Sequence, residues 1–258
     1  MSEWTLITGA SKGLGTEFAR LAARNGRKMI LTARSGDMLE SLADELRGDG
    51  AEVVVIPADL STLEDADRMW TEATDGRQVD FLINNAGLGS HAPFAQEDAW
   101  QRELSSISVN MVTLTQLMKR AVPHMKGHGR GRILNVASAA GFLPGPNMAV
   151  YSATKAYVLH LSEAVAHELR GSNVTVTAFC PGATQTNFFS DGNMQGARLL
   201  KLTPIAKADK VAAAGWQAAI GGRTVAVPGA LNAVFANLPR VLPRSVITRV
   251  SGIFLGKD

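Results

Sequence analysis

Short apolar, β-branched runs alternate with longer segments of helical period along most of this chain, and this alternation limits its possible folds more than any other feature. Seven runs are predicted to be strands: residues 6–8, 28–32, 53–56, 81–83, 133–136, 174–179 and 224–227. The segments between them that are predicted to be helical are 17–25, 37–47, 63–74, 97–125, 151–169 and 207–220. The pattern predicts an α/β fold with a single Rossmann-type, doubly wound parallel sheet of about seven strands and helices on both faces.

One domain is expected. The chain has 258 residues, 46% of them hydrophobic and 19% charged, which suits one globular core. The strand and helix alternation stops near Pro228. Residues 1–228 are therefore predicted to form the sheet domain, and residues 229–258 a helical extension of the same domain.

The composition also argues against several classes of protein. Cys180 is the only cysteine, and the five histidines show no zinc-ligand spacing, so neither a disulfide nor a metal site is predicted. The first residues do not resemble a signal peptide, and the absence of a membrane-length apolar stretch favours a cytoplasmic protein. The net charge is only +3 and the basic residues are scattered, which argues against nucleic-acid binding.

Three glycines follow the first predicted strand, in the segment Thr8-Gly9-Ala10-Ser11-Lys12-Gly13-Leu14-Gly15. At this position backbone can approach a pyrophosphate closely, and the N-terminus of the next helix can face it. Glycines also end strands and open turns, and the spacing differs from the usual G-x-G-x-x-G. Its place after the first strand favours a dinucleotide site that includes Gly9, Ser11, Lys12, Gly13, Leu14 and Gly15.

The end of the second predicted strand indicates which dinucleotide is bound. An acid at this corner binds the ribose 2′-hydroxyl of NAD, whereas a 2′-phosphate needs a cation. The corner here contains Arg34, and Lys12 could reach the same group, which favours NADP(H). Both could instead be solvated surface residues, and Asp37 is an acid close by.

Tyr151 and Lys155 are four residues apart and so share one face of a predicted helix. A free phenol titrates near pH ~10, and a nearby ammonium is expected to lower its pKa, which would make Tyr151 a general acid/base. Taken alone, such a pair is more often a packed aromatic beside a solvated amine.

The chain as a whole resembles the short-chain dehydrogenase/reductase family in its common form, from about Trp4 to Val227. The matching motifs stand in the family's order: Thr8-Gly9-x-x-x-Gly13-x-Gly15, Asp59-Leu60, Asn84-Asn85-Ala86-Gly87, Asn110, Ser138, Tyr151 with Lys155, and Pro181-Gly182 followed by Thr186.

This resemblance implies roles in cofactor binding for residues outside the glycine turn. Asp59, beside Leu60, would contact the adenine amine, and Asn85, Ala86 and Gly87 would line the adenosine and ribose region. These could also be ordinary turn-forming residues. The loop with Pro181, Gly182, Thr184 and Thr186 would support the nicotinamide carboxamide, although position 184 departs from the usual aliphatic residue.

The resemblance also implies a catalytic set. Ser138, at the end of a predicted strand, would hydrogen-bond the reacting carbonyl, and Tyr151 would exchange the proton. Lys155 would bind the nicotinamide ribose and lower the pKa of Tyr151, while Asn110 would hold a water in a proton relay. Cys180 is expected to be structural, because its sequence neighbours include no cation that would activate a thiolate.

The substrate side is expected to be apolar. The long segment 187–204 is predicted to close over the substrate, and with residues 141–144 and 89–94 it would form a hydrophobic pocket. This favours a ketone, an aldehyde or a β-ketoacyl compound as substrate. The natural substrate, the direction of reaction and the stereochemistry of the product are left open.

Beyond Pro228, apolar residues recur at helical spacing among several arginines. This segment could pack on its own subunit, cover a neighbour's pocket, or lie on a membrane surface, and packing within an oligomer is favoured over membrane contact. The resemblance implies a homodimer or homotetramer formed through the helices at 97–125 and 151–169.

The sequence therefore predicts an NADP(H)-dependent oxidoreductase that acts on a carbonyl/alcohol pair. An alternative is a sensor or scaffold protein that binds a dinucleotide without turnover, because fold does not imply function. A third possibility is another reaction with a Tyr/Lys pair, such as epimerisation or dehydration.

Overall fold

The computed structural model describes residues 3–186, 188, 192 and 205–256 of the chain. The strands in these residues are β1 (Glu3–Thr8), β2 (Lys28–Thr32), β3 (Val53–Val55), β4 (Gln78–Asn84), β5 (Gly131–Val136), β6 (Val174–Phe179), β7 (Thr184–Gln185), β8 (Ala206–Lys207) and β9 (Val225–Ala226). The α-helices are α1 (Leu14–Arg24), α2 (Gly36–Gly48), α3 (Leu63–Thr74), α4 (Trp100–Ile107), α5 (Leu114–Gly127), α6 (Ala149–Glu168), α7 (Ala208–Ile220), α8 (Ala230–Asn237) and α9 (Arg244–Leu255).

The main sheet has seven strands, all parallel, in the order β3-β2-β1-β4-β5-β6-β9. The chain starts in the middle, runs outward through β2 and β3, and returns to the other side of β1 to form β4. Strand order therefore reverses between β1 and β4, where open α/β sheets bind ligands beyond the carboxyl ends of their strands. This topology confirms the predicted doubly wound α/β fold.

Alternate side chains of each strand enter separate cores on the two faces of the sheet. Leu6 and Leu82 point into a core that is completed by apolar residues of α3, α5 and α6. Ile7 and Ile83, each one residue further along, point into the opposite core, which is completed by α1, α2 and α7. Because both faces are covered, apolar residues dominate both sides of the central strands.

The segment predicted as one long helix, 97–125, is less regular. It begins with a 3-10 turn at Glu97–Ala99, continues as α4, passes through a π-helical segment at Ser108–Thr113, and ends as α5. A π-helical segment inserts extra backbone into a helix and is frequent at functional sites. The apolar periodicity of the sequence does not reveal this segment, because apolar residues continue through it and into the α-helices on both sides.

Two further points concern a small sheet that the sequence did not predict and a predicted segment that lies mostly outside the described residues. The strands β7 and β8 pair in parallel as a small separate sheet, which runs of two residues are too short to predict. The segment 187–204, predicted to close over the substrate, falls outside the described residues except at positions 188 and 192.

The described part of the chain contains neither a membrane-spanning helix nor a cluster of metal ligands. No helix there combines the length and the apolar character needed to cross a bilayer. No cluster of three or more His, Cys, Asp or Glu side chains suited to a metal ion occurs among the same residues.

Candidate active site

The turn between β1 and α1 is packed so closely that side chains cannot be added. Gly9 has a positive φ of 65°, and a Cβ there would lie 2.8 Å from the Cα of Ala86. A Cβ on Gly15 would overlap the carbonyl oxygen of Gly9. The first turn of α1 therefore lies against the end of β1, and backbone, not side chains, forms the floor of a cradle that suits a pyrophosphate.

Thr8 and Asn85 hold this turn to the end of β4. The buried Thr8 hydroxyl accepts hydrogen bonds from the backbone N–H groups of Asn85 and Ala86, both at 3.0 Å. The Asn85 side chain donates to the carbonyl oxygens of Thr8 at 2.9 Å and Gly9 at 3.1 Å. Thr8 fixes the relative position of two cofactor-binding segments, a role the sequence analysis did not assign to it.

The corner at the end of β2 is cationic on the side that faces the cleft. Arg34 and Lys12 are both exposed and both line the cleft, whereas Asp37, in the first turn of α2, is not among its lining residues. Asp59 also lines the cleft, and its carboxylate accepts a hydrogen bond from the Ser61 backbone N–H at 3.0 Å. The two basic residues suit a phosphate on the adenosine ribose.

Ser138, Tyr151 and Lys155 come together beyond the carboxyl end of β5. Ser138 begins a 3-10 turn, and its hydroxyl accepts a hydrogen bond from the Ala140 N–H at 3.1 Å. Tyr151 lies in the first turn of α6, with Lys155 one turn later, and both are buried. The Lys155 ammonium donates to the Val136 carbonyl at 2.8 Å and lies 5.9 Å from the centroid of the Tyr151 ring.

Burial controls the pKa values of these groups. It raises the pKa of Tyr151 to about 12, although a hydrogen bond with Ser138 acts in the opposite direction. It lowers the pKa of Lys155 to about 8. The expected lowering of the Tyr151 pKa by Lys155 is therefore not found, because the cost of burying a phenolate outweighs nearby favourable interactions. Burial also raises the pKa of Cys180 to about 12, which agrees with a structural thiol.

Asn110 lies in the π-helical segment and is completely buried. Its Oδ1 accepts from the Leu88 N–H at 2.9 Å, and its Nδ2 donates to the Leu88 carbonyl at 2.8 Å and to the Thr154 hydroxyl at 3.0 Å. The amide is thus engaged with backbone after β4 and with α6. In this structure Asn110 is a positioning residue that ties three segments together, and it does not line the cleft itself.

The loop after β6 also contributes to the cleft. Pro181, Gly182, Thr184 and Thr186 line it. The Thr184 hydroxyl donates to the Gly182 carbonyl at 3.0 Å, so the polar side chain at this position stabilises the loop itself.

A single cleft with a volume of about 410 Å³ joins all of these parts. Apolar side chains from distant parts of the chain form one wall, and Tyr151 packs against Phe188 with ring centroids 5.5 Å apart. The apolar lining residues from the end of the chain are Phe235, Val250, Phe254 and Leu255. The sequence showed that these residues are apolar and at helical spacing, but not that they reach the site.

Nearly all of the residues predicted from the sequence line this one cleft. They are Gly9, Ser11, Lys12, Gly13, Leu14, Arg34, Asp59, Leu60, Asn85, Ala86, Gly87, Ser138, Tyr151, Lys155, Pro181, Gly182, Thr184 and Thr186. The exceptions are Gly15 and Asn110, which lie behind the lining and support it. The arrangement can hold an extended dinucleotide along the strand ends and an apolar molecule beside Tyr151.

Residues 3–195 match the protein family described as short chain dehydrogenase. Among curated relatives, the chain is 36% identical over 177 residues to a very-long-chain 3-oxoacyl-CoA reductase of Podospora anserina, a match covering 67% of this chain and 52% of that protein. It is 32% identical over 210 residues to the ketoacyl reductase HetN of a Nostoc species, covering 80% of this chain and 72% of the relative. The chain thus spans about half the length of the Podospora relative.

Solved structures show the same fold over nearly the whole chain. A short-chain dehydrogenase from Sphingobium yanoikuyae in complex with NADPH superposes with a TM-score of 0.82 and 30% identity, covering 94% of this chain and 97% of that one. A short-chain dehydrogenase/reductase from Burkholderia phymatum in complex with NAD gives a TM-score of 0.83 and 26% identity, covering 93% of each chain.

Proposed function

Because this chain belongs to the short-chain dehydrogenase/reductase family of oxidoreductases, we propose that it is an NADP(H)-dependent carbonyl reductase acting on a hydrophobic substrate. The observation that carries the proposal is the convergence of Ser138, Tyr151 and Lys155 at the apolar end of a cleft whose other end holds the glycine turn and Arg34. Hydride transfer to a carbonyl requires the cofactor and the substrate to bind next to each other in one continuous cleft.

The side chains of this cleft have distinct tasks in the proposed reaction. The glycine turn and Arg34 would hold NADPH, which when bound would supply the hydride. The Ser138 hydroxyl donates a hydrogen bond to the substrate carbonyl oxygen, and Tyr151 gives its phenolic proton to that oxygen as the alcohol forms. Lys155 binds the nicotinamide ribose, and as a cation it favours the phenolate left on Tyr151.

NADP(H), not NAD(H), is proposed because Arg34 and Lys12 both face the adenosine end of the cleft while Asp37 does not. The NADPH complex of the Sphingobium relative supports this choice, whereas the Burkholderia relative was solved with NAD. The cation at position 34 is the feature that we expect to decide between them.

The proposed substrates are apolar ketones and β-ketoacyl compounds. Phe235, Phe254 and Leu255 bring apolar surface to the end of the cleft beside Tyr151. The Podospora relative is named for a 3-oxoacyl substrate and the Nostoc relative for a ketoacyl substrate, and such compounds pair a reducible ketone with an acyl group. The matched part is about half of the Podospora protein.

We also propose that the protein is a homo-oligomer. Trp100, Leu104 and Val112 expose large apolar side chains on α4 and the π-helical segment, in the region where the resemblance implied subunit contacts. Light scattering after gel filtration tests this, and a single species with the mass of one chain would contradict it.

The proposed activity is tested by following NADPH oxidation with short and long ketones, β-ketoacyl thioesters and hydroxysteroids. We expect turnover that increases with the apolar length of the carbonyl substrate. The same panel with NADH measures cofactor preference. Binding of NADPH without turnover of any carbonyl compound would favour a dinucleotide sensor instead.

Tyr151→Phe is the variant that examines the mechanism. It removes the proton donor while the ring remains, so kcat is expected to fall by about 100- to 10,000-fold with NADPH affinity nearly unchanged. Tyr157→Phe is the matched control, because the Tyr157 hydroxyl contacts Thr115 and not the cleft. Turnover of Tyr151→Phe at the rate of the control would exclude Tyr151 as the proton donor.

A further inference from the structure

The last two helices present different side chains to the cleft and to the outside. Val250, Phe254 and Leu255 on α9 face the cleft, and Phe235 on α8 joins them, with its ring 5.5 Å from that of Phe254. The Ser251 hydroxyl donates to the Pro144 carbonyl at 2.6 Å, and His91 hydrogen-bonds the Leu255 carbonyl at 2.7 Å. These contacts fix the inner side of α9 on its own subunit.

The outer side of the same segment is apolar and uncovered. Val241 is 78% exposed, Ile253 60% and Val234 59%. Leu231, Leu242 and Val246 also belong to this group of exposed large apolar residues. We call residues 231–253, on their solvent side, the C-terminal outer surface. Exposed apolar side chains clustered in one short segment generally mark an interaction site.

The charges on this surface are all of one sign. Arg240, Arg244 and Arg249 are exposed, and residues 229–256 contain no Asp or Glu. On α9, Val246, Arg249 and Ile253 follow at intervals of three and four residues and therefore share one face. Arginines mixed with exposed aliphatic side chains along a helix are typical of segments that lie in a lipid interface.

A second copy of the chain fits this surface poorly. A two-fold interface through it would place the arginines of one copy against those of the other, with no acid in the segment to pair with them. An anionic bilayer satisfies both features, since its headgroups attract the arginines and its acyl boundary takes up the aliphatic side chains.

We propose that the C-terminal outer surface docks on anionic membranes. This goes beyond the proposed reductase activity and does not depend on it. It would place the wall of the cleft formed by α8 and α9 next to the lipid phase, where apolar carbonyl compounds concentrate.

The test is flotation of the full chain with vesicles of pure phosphatidylcholine and with an equal mixture of phosphatidylcholine and phosphatidylglycerol. We expect co-flotation with the anionic vesicles that weakens at high salt, because salt screens the arginines. The triple variant Arg240→Gln, Arg244→Gln, Arg249→Gln should lower the partition coefficient roughly 100-fold. Its matched control carries Lys126→Gln, Arg170→Gln and Arg223→Gln, exposed positions elsewhere, and should bind nearly as well as the wild type.

A second variant tests how much the exposed apolar side chains contribute to vesicle binding. Val241→Asn with Ile253→Asn should weaken binding roughly tenfold or more while the charges stay in place. Neither residue lines the cleft, so reduction of a small water-soluble ketone and the unfolding temperature should remain at wild-type values. These readouts separate loss of docking from failure of the enzyme or of folding.

Three outcomes would overturn the proposal. The first is failure of the wild type to float with anionic vesicles at low salt, and the second is binding of the triple variant as strong as that of its charge-matched control. The third is dissociation of an oligomer by the Asn variant in a protein that does not bind vesicles, which would identify the surface as a contact between copies of the chain.

Discussion

Tyr151 and Lys155 lie one helical turn apart in an enclosed part of the cleft, and burial shifts their pKa values in opposite directions. Lys155 has a pKa of about 8 and therefore changes charge near that pH. Tyr151 and Cys180 have pKa values of about 12 and do not change charge there. Among these three groups, only the lysine titrates between neutral and mildly alkaline pH. Its ammonium form is the stronger donor to ribose hydroxyls, because the hydrogen bond is then charge-assisted.

The lowered pKa of Lys155 predicts how the affinity for the cofactor depends on pH. Because the lowered pKa of Lys155 makes it cationic below pH about 8 and neutral above, the affinity for NADPH should fall as pH rises through that value. Loss of one hydrogen bond from a charged donor corresponds to roughly a tenfold loss or more. Titration of protein fluorescence with NADPH between neutral and alkaline pH measures it. In Lys155→Met the affinity should be weaker and lose this pH dependence; an unchanged profile would assign the effect to another group.

Arg34 should determine the choice of cofactor. Arg34→Glu replaces a phosphate-binding cation by a carboxylate that repels the 2′-phosphate and can accept from a ribose hydroxyl. We expect KM for NADPH to rise about 10- to 100-fold while KM for NADH falls or stays the same. Steady-state kinetics with both cofactors measure this. Arg24→Glu, at the far end of α1, is the control, and equal effects of the two substitutions would refute the assignment.

At the scale of elements, the π-helical segment between α4 and α5 places Asn110 where its amide can reach β4 and α6 at once. Both the N–H and the C=O of Leu88 depend on this one side chain. The polar residue flanked by Val109 and Met111 in an apolar helix thus has partners from two other segments. The π-helical segment thus has a structural role. Through Asn110 it connects the chain after β4 to the helix that carries Tyr151 and Lys155.

Asn110→Ala should therefore destabilise the fold. It leaves the half-buried Leu88 N–H and C=O without their side-chain partner, at a cost of about 2 to 4 kcal/mol. For a chain of this size that corresponds to a Tm lower by roughly 5 to 15 °C, which differential scanning calorimetry measures. Gln217→Ala, which removes an exposed side-chain amide on α7, should change stability by less than about 0.5 kcal/mol. Similar melting of the two variants would show that the Leu88 bonds contribute little.

At the scale of the whole molecule, the cleft joins segments from both ends of the chain. The glycine turn comes from its first 15 residues, and Phe254 and Leu255 from its last five. A dinucleotide together with an apolar substrate would contact both. Ligand binding should therefore stabilise the complete fold and not only the sheet.

We expect NADPH at about 100 times its Kd to add about 2.7 kcal/mol to the free energy of unfolding. That raises Tm by roughly 5 to 10 °C in a chain of this size. NADH at the same concentration should raise it less, because the Arg34 corner gains no phosphate. Thermal unfolding with each cofactor measures both shifts. A larger shift with NADH would contradict the preference for NADP(H).

The sequence by itself determined the main sheet, most of its helices and the part of the cleft lining that follows the strand ends. This was possible because strand ends are marked locally, by glycines after β1, Asn85 after β4, Ser138 after β5 and Pro181 after β6. Parallel strands bring their carboxyl ends to one edge, so residues that follow them become neighbours without further information.

Tertiary structure alone decided what depends on contacts between distant segments. The pKa of Tyr151 rises because of the burial that other elements impose, which no pair of residues in the sequence specifies. The role of Thr8 depends on its distance to Asn85, and that of Asn110 on its distance to Leu88. The sequence showed apolar residues at helical spacing in α9, but only the packing of this helix beside Tyr151 showed which of them form the wall of the cleft. Local pattern fixes elements and their ends, whereas burial and long-range hydrogen bonds exist only once the elements have packed.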